Sequence, residues 1–317
     1  MTATDAPAAP LSSRRYQGLA DLPALLAFAS LSTAQRSPLA SSWHPGDIIW
    51  ALQARADQPQ PCQFWSGPDG VEALAWFESD GEVWIETLPA REALLADAVA
   101  WVEQAWPRQL VREGRDPATP ILIRAMSHDA RRIVGLEALG YHRAGPAGVG
   151  YRFRLADLPP PVNMPPGYSV RDSVGVDPAA RAAAHRAAWD HLEHLGIDAH
   201  SQFSTEAYLS LTRLPVYDPT LDMLSVAPDG SFAASCICWA DAASGIAVFE
   251  PVGVALAHRG KRLAGAVMGE ALARVKARGL WEARVGTADF NYAAIAAYLA
   301  AGFEPAGGSH WWSKSLG

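Results

Sequence analysis

The 317-residue chain is half apolar and 19% charged, with twelve tryptophans and a formal net charge of −7. That composition predicts a folded, water-soluble protein long enough for two domains with their own cores. The acidic balance argues against a general nucleic-acid or anionic-membrane surface and leaves small anions to be met by local basic patches.

Residues 1–13 are expected to form a disordered leader, with neither a signal-peptide pattern nor, later on, a run of apolar residues long enough to span a membrane. From Tyr16, leucines at helical spacing predict a helix in GLADLPALLAFASLSTAQ, with Asp21 able to cap it and Pro23 near its first turn. After the turn chemistry of Pro45 and Gly46, the runs IIWALQA, CQFWSG and GVEALAWFES read as strands, and GEVWIETL as a fourth. ALLADAVAWVEQAW reads as a helix ended ahead of Pro107, PILIRAMS as a strand, and DARRIVGLEALGY as a short helix closed by Gly140.

Five of the twelve residues in 156–167, ADLPPPVNMPPG, are proline, which predicts a stiff extended linker between a first domain (14–155) and a second (168–317). Beyond it, GYSVRDS is a strand, and DPAARAAAHRAAWDHLEHLG is a helix capped by Asp177, opened by Pro178 and ended at Gly196. FSTEAYLSLTRL is a second helix. Residues 222–254 then alternate strands with the turn signals Pro228-Asp229-Gly230 and Ala243-Ser244-Gly245, an antiparallel meander. Cys236 and Cys238 lie two apart in one of these strands and share a face. With Cys62 they make neither an even disulfide framework nor a metal-ligand spacing, and a reducing, cytoplasmic setting fits. Four histidines, His185, His191, His194 and His200, cluster around the first helix of this half, but no cysteine or carboxylate spacing completes a metal site with them.

The stretch richest in chemistry is 246–279. An apolar run, IAVFEPVGV, passes through AHRGKRLAG into the helical pattern AVMGEALARVKARG. The turn brings Arg259, Gly260, Lys261, Arg262, Leu263 and Ala264 to a helix start, where unpaired N–H groups and the helix dipole favour a phosphate or pyrophosphate. Further on, NYAAIAAYLAAG reads as a helix between Asn291 and Gly302, and HWWSKSL as a last strand. Asn291 and Tyr298, seven residues apart, share one helix face. The two halves end alike: DARRIVGLEALGYHRAG and NYAAIAAYLAAGFEPAG align without gaps, pairing Ile133 with Ile295, Gly140 with Gly302 and Tyr141 with Phe303.

On these residues the second half resembles the GNAT superfamily of acyl-CoA-dependent N-acyltransferases, and the whole chain is similar to its tandem members. The family's cofactor motif, Gln or Arg, two residues, Gly, one residue, Gly or Ala, falls on residues 259–264 with Arg262 where the family prefers Gly. The resemblance implies an α+β (mixed α/β) fold of two tandem GNAT-like domains, each a mostly antiparallel central sheet flanked by helices. It implies acetyl-CoA as co-substrate and no metal. Backbone N–H groups at Val252 or Val254 would hold the thioester carbonyl, Asn291 would bond the cofactor arm, and residues 259–264 would cradle the pyrophosphate. Glu250 would help deprotonate the amine and Tyr298 would protonate the departing thiolate. In the first half Asp129 and Leu136 stand where Asn291 and Tyr298 do, and no glycine marks a phosphate turn, so that domain is expected to be a degenerate copy. The acceptor expected is the primary amine of a small molecule, with no nucleic-acid or membrane partner, in a monomer or homodimer. The other reading is a non-catalytic acyl-CoA-binding or scaffold protein.

Overall fold

In the computed structural model, which describes residues 11–36, 43–78, 82–158, 162–190, 192 and 200–316, the chain divides into two units that are each discontinuous in sequence. One comprises Met1–Ser42, Ala56–Gly145 and His310–Gly317, and the other Trp43–Arg55 and Pro146–Ser309. The segment 156–167, expected as a linker, falls wholly within the second range and is described except at 159–161.

In chain order, β1 (Ser12–Arg15) takes up the last residues of the expected leader, and α1 (Leu22–Gln35) follows with Asp21 at its N-cap. Asp21 does not cap through its side chain. Its carboxylate accepts from Gln17 N and pairs with Arg14 instead. The run IIWALQA, expected as a strand, is helical: its first five residues belong to α2 (Pro45–Leu52), and a 3-10 turn, Gln53–Arg55, takes the rest. His44 Nδ1 accepts from Gly46 N, Asp47 accepts from His44 N in return, and Pro45 supplies a preset φ at the first position. This reciprocal cap and the burial of Ile48, Ile49 and Leu52 on one side outweigh the β-branched pair.

Helix α2 belongs to the second unit, and the first resumes with β2 (Cys62–Gly67), β3 (Gly70–Phe77), β4 (Glu82–Thr87), α3 (Leu94–Glu113), β5 (Ile121–Met126) and α4 (Ala130–Ala138). Helix α3 runs through Pro107 rather than stopping ahead of it, because Val102, Trp106 and Leu110 on either side of the proline are buried against the sheet. Its end is set by Gly114 in the left-handed region. The sheet order is β1-β2-β3-β4-β5, antiparallel except for β4 with β5. Its core gathers Phe77, Ile85, Val99, Trp106, Ile123 and Trp312.

The next strand, β6 (His142–Arg154), is rich in Gly and Pro near its start, and for that reason no strand signal stands out in its sequence. It is held by antiparallel pairing with β11. With α2 and most of β6, the second unit comprises β7 (Ser169–Asp172), α5 (Pro178–Trp189), α6 (Thr205–Leu211), β8 (Asp222–Val226), β9 (Phe232–Asp241), β10 (Ile246–Val254), α7 (Leu263–Ala277), β11 (Glu282–Thr287), α8 (Tyr292–Ala300) and β12 (Glu304–Lys314), the last leaving this unit at residue 309. The sheet order β6-β11-β10-β9-β8-β7 is again antiparallel except for one pair, β10 with β11. Helix α5 starts on Asp177, which accepts from Ala180 N, and its described residues end at Trp189. Gly196, expected as its end, lies outside the described residues. Both units therefore have the expected α+β organisation, a mostly antiparallel sheet flanked by helices.

Candidate active site

The site grows out of a defect in the second sheet. Strands β10 and β11 pair in parallel from Ile246 with Glu282 to Phe249 with Val285 and no further. β11 stays with β6 through Gly286 and Thr287, whereas β10 shifts register on β9 between Phe249 and Val252, so that Glu250 and Pro251 stand against one residue of the partner. The Glu250–Pro251 peptide is cis, and Pro251 has no N–H to offer a neighbouring strand. A bulge at that point bends the strand. β10 therefore parts from β11, and Val252, Gly253 and Val254 lie along the edge of the opening.

The strand leads through a short turn, Leu256–His258, into the basic segment. Gly260 has φ +76° and Arg262, the N-cap of α7, has φ +61° and ψ +19°. Two left-handed residues two apart curl the backbone and turn its N–H groups toward one side. Arg262 O accepts the first helical bond, from Ala266 N. Among the described residues none accepts from the N–H groups of Gly260, Lys261, Arg262, Leu263, Ala264 or Gly265. Six consecutive unpartnered donors at the positive end of a 15-residue helix make an anion cradle.

The side chains around it are unequal. Arg259 Nε donates to Val254 O at 3.3 Å, tying the turn to the opened strand. Lys261 Nζ donates to Ala257 O at 2.8 Å and sits 5.8 Å over the Tyr168 ring, whose hydroxyl meets His258 Nδ1 at 2.9 Å. The Arg262 side chain is exposed and makes no hydrogen bond or ion pair with the described residues. Leu263 is buried and anchors the helix start, and Ala264 is half-buried.

On the other side of the opening stands α8. Asn291 caps it: Oδ1 accepts from Ala294 N at 3.2 Å, and Nδ2 donates to Thr287 Oγ1 at 3.1 Å. The amide thereby joins the end of β11 to the helix. Tyr298 is buried, packed against Tyr151 and Phe303 at centroid distances of 5.9 and 6.4 Å, and its hydroxyl has no hydrogen-bond partner among the described residues. Burial first, and then the charge of Glu250, raise its pKa, so the phenol keeps its proton at neutral pH. Glu250 and Tyr298 are thus electrostatic neighbours although 48 residues separate them in sequence. The backbone of Glu250 is held by the indole of the fully buried Trp239, which donates to its carbonyl.

Sequence reasoning did not find an aromatic group beside the opened strand. His185 is stacked on Trp189 at 4.3 Å and meets Phe203 at 4.6 Å and Trp50 at 5.6 Å. Trp189 closes over Gly253, where an added Cβ would lie 2.2 Å from its ring. Burial, then Arg181 and Arg186, lower the His185 pKa to about 3, so the ring is neutral. The capping signal His44-Pro45-Gly46-Asp47 was the available clue that Trp50 sits on a helix. His200 is exposed and pairs with Asp190 at 3.1 Å. His191 and His194 lie outside the described residues. Among the described residues no three His, Cys, Asp or Glu gather as metal ligands, no disulfide forms, and no helix is long and apolar enough to cross a membrane.

The second unit thus brings together a parallel strand pair that splits, a turn of free N–H groups at the following helix and a tyrosine on the next helix. Residues 188–303 match the model of the Acetyltransferase (GNAT) family. A tandem GNAT protein from the clavulanic acid biosynthesis pathway aligns over 97% of this chain and 99% of its own, with a TM-score of 0.63 at 16% identity. A GCN5-related N-acetyltransferase from Sphaerobacter thermophilus aligns over 97% and 96%, with a TM-score of 0.61 at 21% identity. A GNAT-family acetyltransferase from Colwellia psychrerythraea aligns over 96% and 100%, with a TM-score of 0.55 at 14% identity. At these identities the likeness is one of fold, and the fold of the whole chain is the tandem GNAT fold. No curated protein matches the sequence.

Proposed function

We propose that the second unit transfers an acetyl group from acetyl-CoA to the primary amine of a small molecule by direct attack, without an acyl-enzyme. The observation that carries this reading is the row of six unpartnered N–H groups from Gly260 to Gly265, which follows directly on the opened strand. A pyrophosphate on that row would leave the pantetheine arm to run along Val252, Gly253 and Val254, with a backbone N–H at Val252 or Val254 polarising the thioester carbonyl. Lys261 and Arg262 would add positive charge at the phosphates, Arg259 would hold the turn on the strand, and Asn291 would keep α8 at the mouth of the split.

Attack by the neutral amine on the thioester carbonyl forms the new C–N bond as the C–S bond breaks. Glu250 would take the amine proton, directly or through water. Tyr298, whose proton is retained by burial and by the Glu250 charge, would deliver one to the thiolate. The free, buried thiols Cys62, Cys236 and Cys238 suit a reducing, cytoplasmic setting. The test is Tyr298→Phe. Turnover on an amine panel should fall by about 10²-fold or more, while calorimetry with CoA gives unchanged affinity. Unchanged turnover removes Tyr298 from the mechanism, and tight CoA binding without product on any amine leaves a carrier rather than an enzyme.

A further inference from the structure

The first unit repeats the split of the second, and it is filled. Strands β4 and β5 pair in parallel only at Glu82 with Leu122 and Val83 with Ile123. Past Val83, as past Phe249 in β10, the strand edge is left by its parallel neighbour. Ile85 and Thr87 lie two and four residues beyond the last pair, the positions that Pro251 and Gly253 hold in β10. A short turn, Pro89–Arg91, and then α3 follow, as Leu256–His258 and α7 do in the second unit.

Two guanidinium groups stand on this edge. Arg132, from α4, donates to Ile85 O and to Thr87 Oγ1, and Arg36, the C-cap of α1, donates to Thr87 O through Nε and Nη2. Carboxylates close around them: Glu86 and Asp129 on Arg36 at 2.9 and 2.6 Å, and Glu92 between the two, 2.6 Å from Arg36 and 3.2 Å from Arg132. Ser32 and Thr87 hydroxyls satisfy Glu86 and Glu92 in turn. Arg132 is 2% exposed, Glu86 2% and Thr87 0%. Glu92 stands two residues ahead of α3, and its carboxylate is taken up by Arg36, Arg132 and the Thr87 hydroxyl.

We infer that the first unit is a self-occupied copy of the acyl-CoA cleft: Arg36 and Arg132, held by Glu86, Glu92 and Asp129, take the edge of β4 that a pantetheine arm would need. A ligand entering there would have to uncover two buried arginines and strand three carboxylates, which would in turn repel its phosphates. The chain therefore binds one acyl-CoA, in the second unit. This last clause rests on the function proposed above; the occupied state of the first cleft does not.

The test separates the two on the full-length protein. Phenylglyoxal, which modifies accessible guanidinium groups, is followed by peptide mass spectrometry without ligand, and CoA is titrated by calorimetry with hydrogen exchange read at β4 and β10. Arg36 and Arg132 should react on the order of tenfold or more slowly than the exposed Arg112 and Arg131. In Arg36→Gln, confirmed folded by circular dichroism, Arg132 should become reactive. CoA should bind once per chain and slow exchange at β10 but not at Ile85 and Thr87. Fast modification of Arg36 or Arg132 in the unaltered chain, a second CoA per chain, or CoA-dependent protection of β4 overturns the inference. Absence of any CoA binding refutes the acyl-CoA reading of the second unit, and the arginine reactivities still decide the state of the first.

Discussion

Arg262 offers a direct measurement of what the departure from glycine costs. At φ +61° and ψ +19° its backbone is left-handed, a conformation that brings Cβ toward the following carbonyl and costs about 1–2 kcal/mol for an L-residue. Glycine relieves that cost in the folded chain but returns about 0.5–1 kcal/mol through the greater freedom of the unfolded one. Alanine removes the guanidinium equally and keeps the Cβ. Arg262→Gly should therefore be about 0.5–1 kcal/mol more stable than Arg262→Ala, read as a shift in the midpoint of urea unfolding at constant slope. Since the guanidinium has no partner among the described residues, Arg262→Ala itself should lie within about 0.5 kcal/mol of the parent. Both variants lose one cation of the proposed phosphate turn and should weaken CoA to a similar extent in calorimetry. An Arg262→Ala protein as stable as Arg262→Gly would show that the left-handed turn is not where the chain is strained, and the argument would fall.

Other perturbations test other links. Arg181 and Asp222 form an ion pair at 2.8 Å with relative exposures of 1% and 0%; Asp222→Asn should cost about 3–5 kcal/mol by leaving a buried guanidinium uncompensated, and Arg181→Met combined with Asp222→Leu should recover most of it, both by urea unfolding. His185 takes up a proton near its ordinary value of 6.5 only when unfolded, and near 3 when folded. The unfolded chain thus binds the extra proton between those values, so stability falls as pH drops from 6.5 toward 3. His185→Phe should flatten that part of the profile in unfolding midpoints taken at pH 7, 5 and 4. Gly253→Ala would set a Cβ 2.2 Å from Trp189 and 2.7 Å from Ala188 Cβ. It should destabilise by about 1–3 kcal/mol in the same assay, and an unchanged midpoint would mean that α5 yields freely there.

What could be read in advance follows the range of the interactions. The strand, turn and helix at 246–279 are signalled within a few residues of one another, and the caps Asp177 and Asn291 and the closing Gly140, Gly279 and Gly302 all take the conformations their residue types suggest. The splitting of β10 from β11 was half legible, through Pro251. Local signals failed where tertiary burial decided the outcome, as in α2, in α3 beyond Pro107 and in the glycine-rich β6. Long-range clusters left almost no local trace. Arg36 and Asp129 meet across 93 residues, and Trp50 reaches His185 from a helix well over a hundred residues earlier. The first half looked merely empty of motif residues, whereas its cleft is full.

The division of the chain also governs the order in which the units can mature. Trp312 is 5% exposed in the core of the first unit, and His310 belongs to that unit as well. During synthesis, residues 56–145 leave the ribosome long before that strand exists, so the earlier-made unit must wait, with part of its core open, until residues 146–309 have been made as well. Residues 43–55 likewise wait for the second unit. A chain cut at the proline-rich stretch would give two pieces each missing an element of its own sheet or helix layer, and a tag or truncation near residue 310 would be felt first in the unit that begins the sequence.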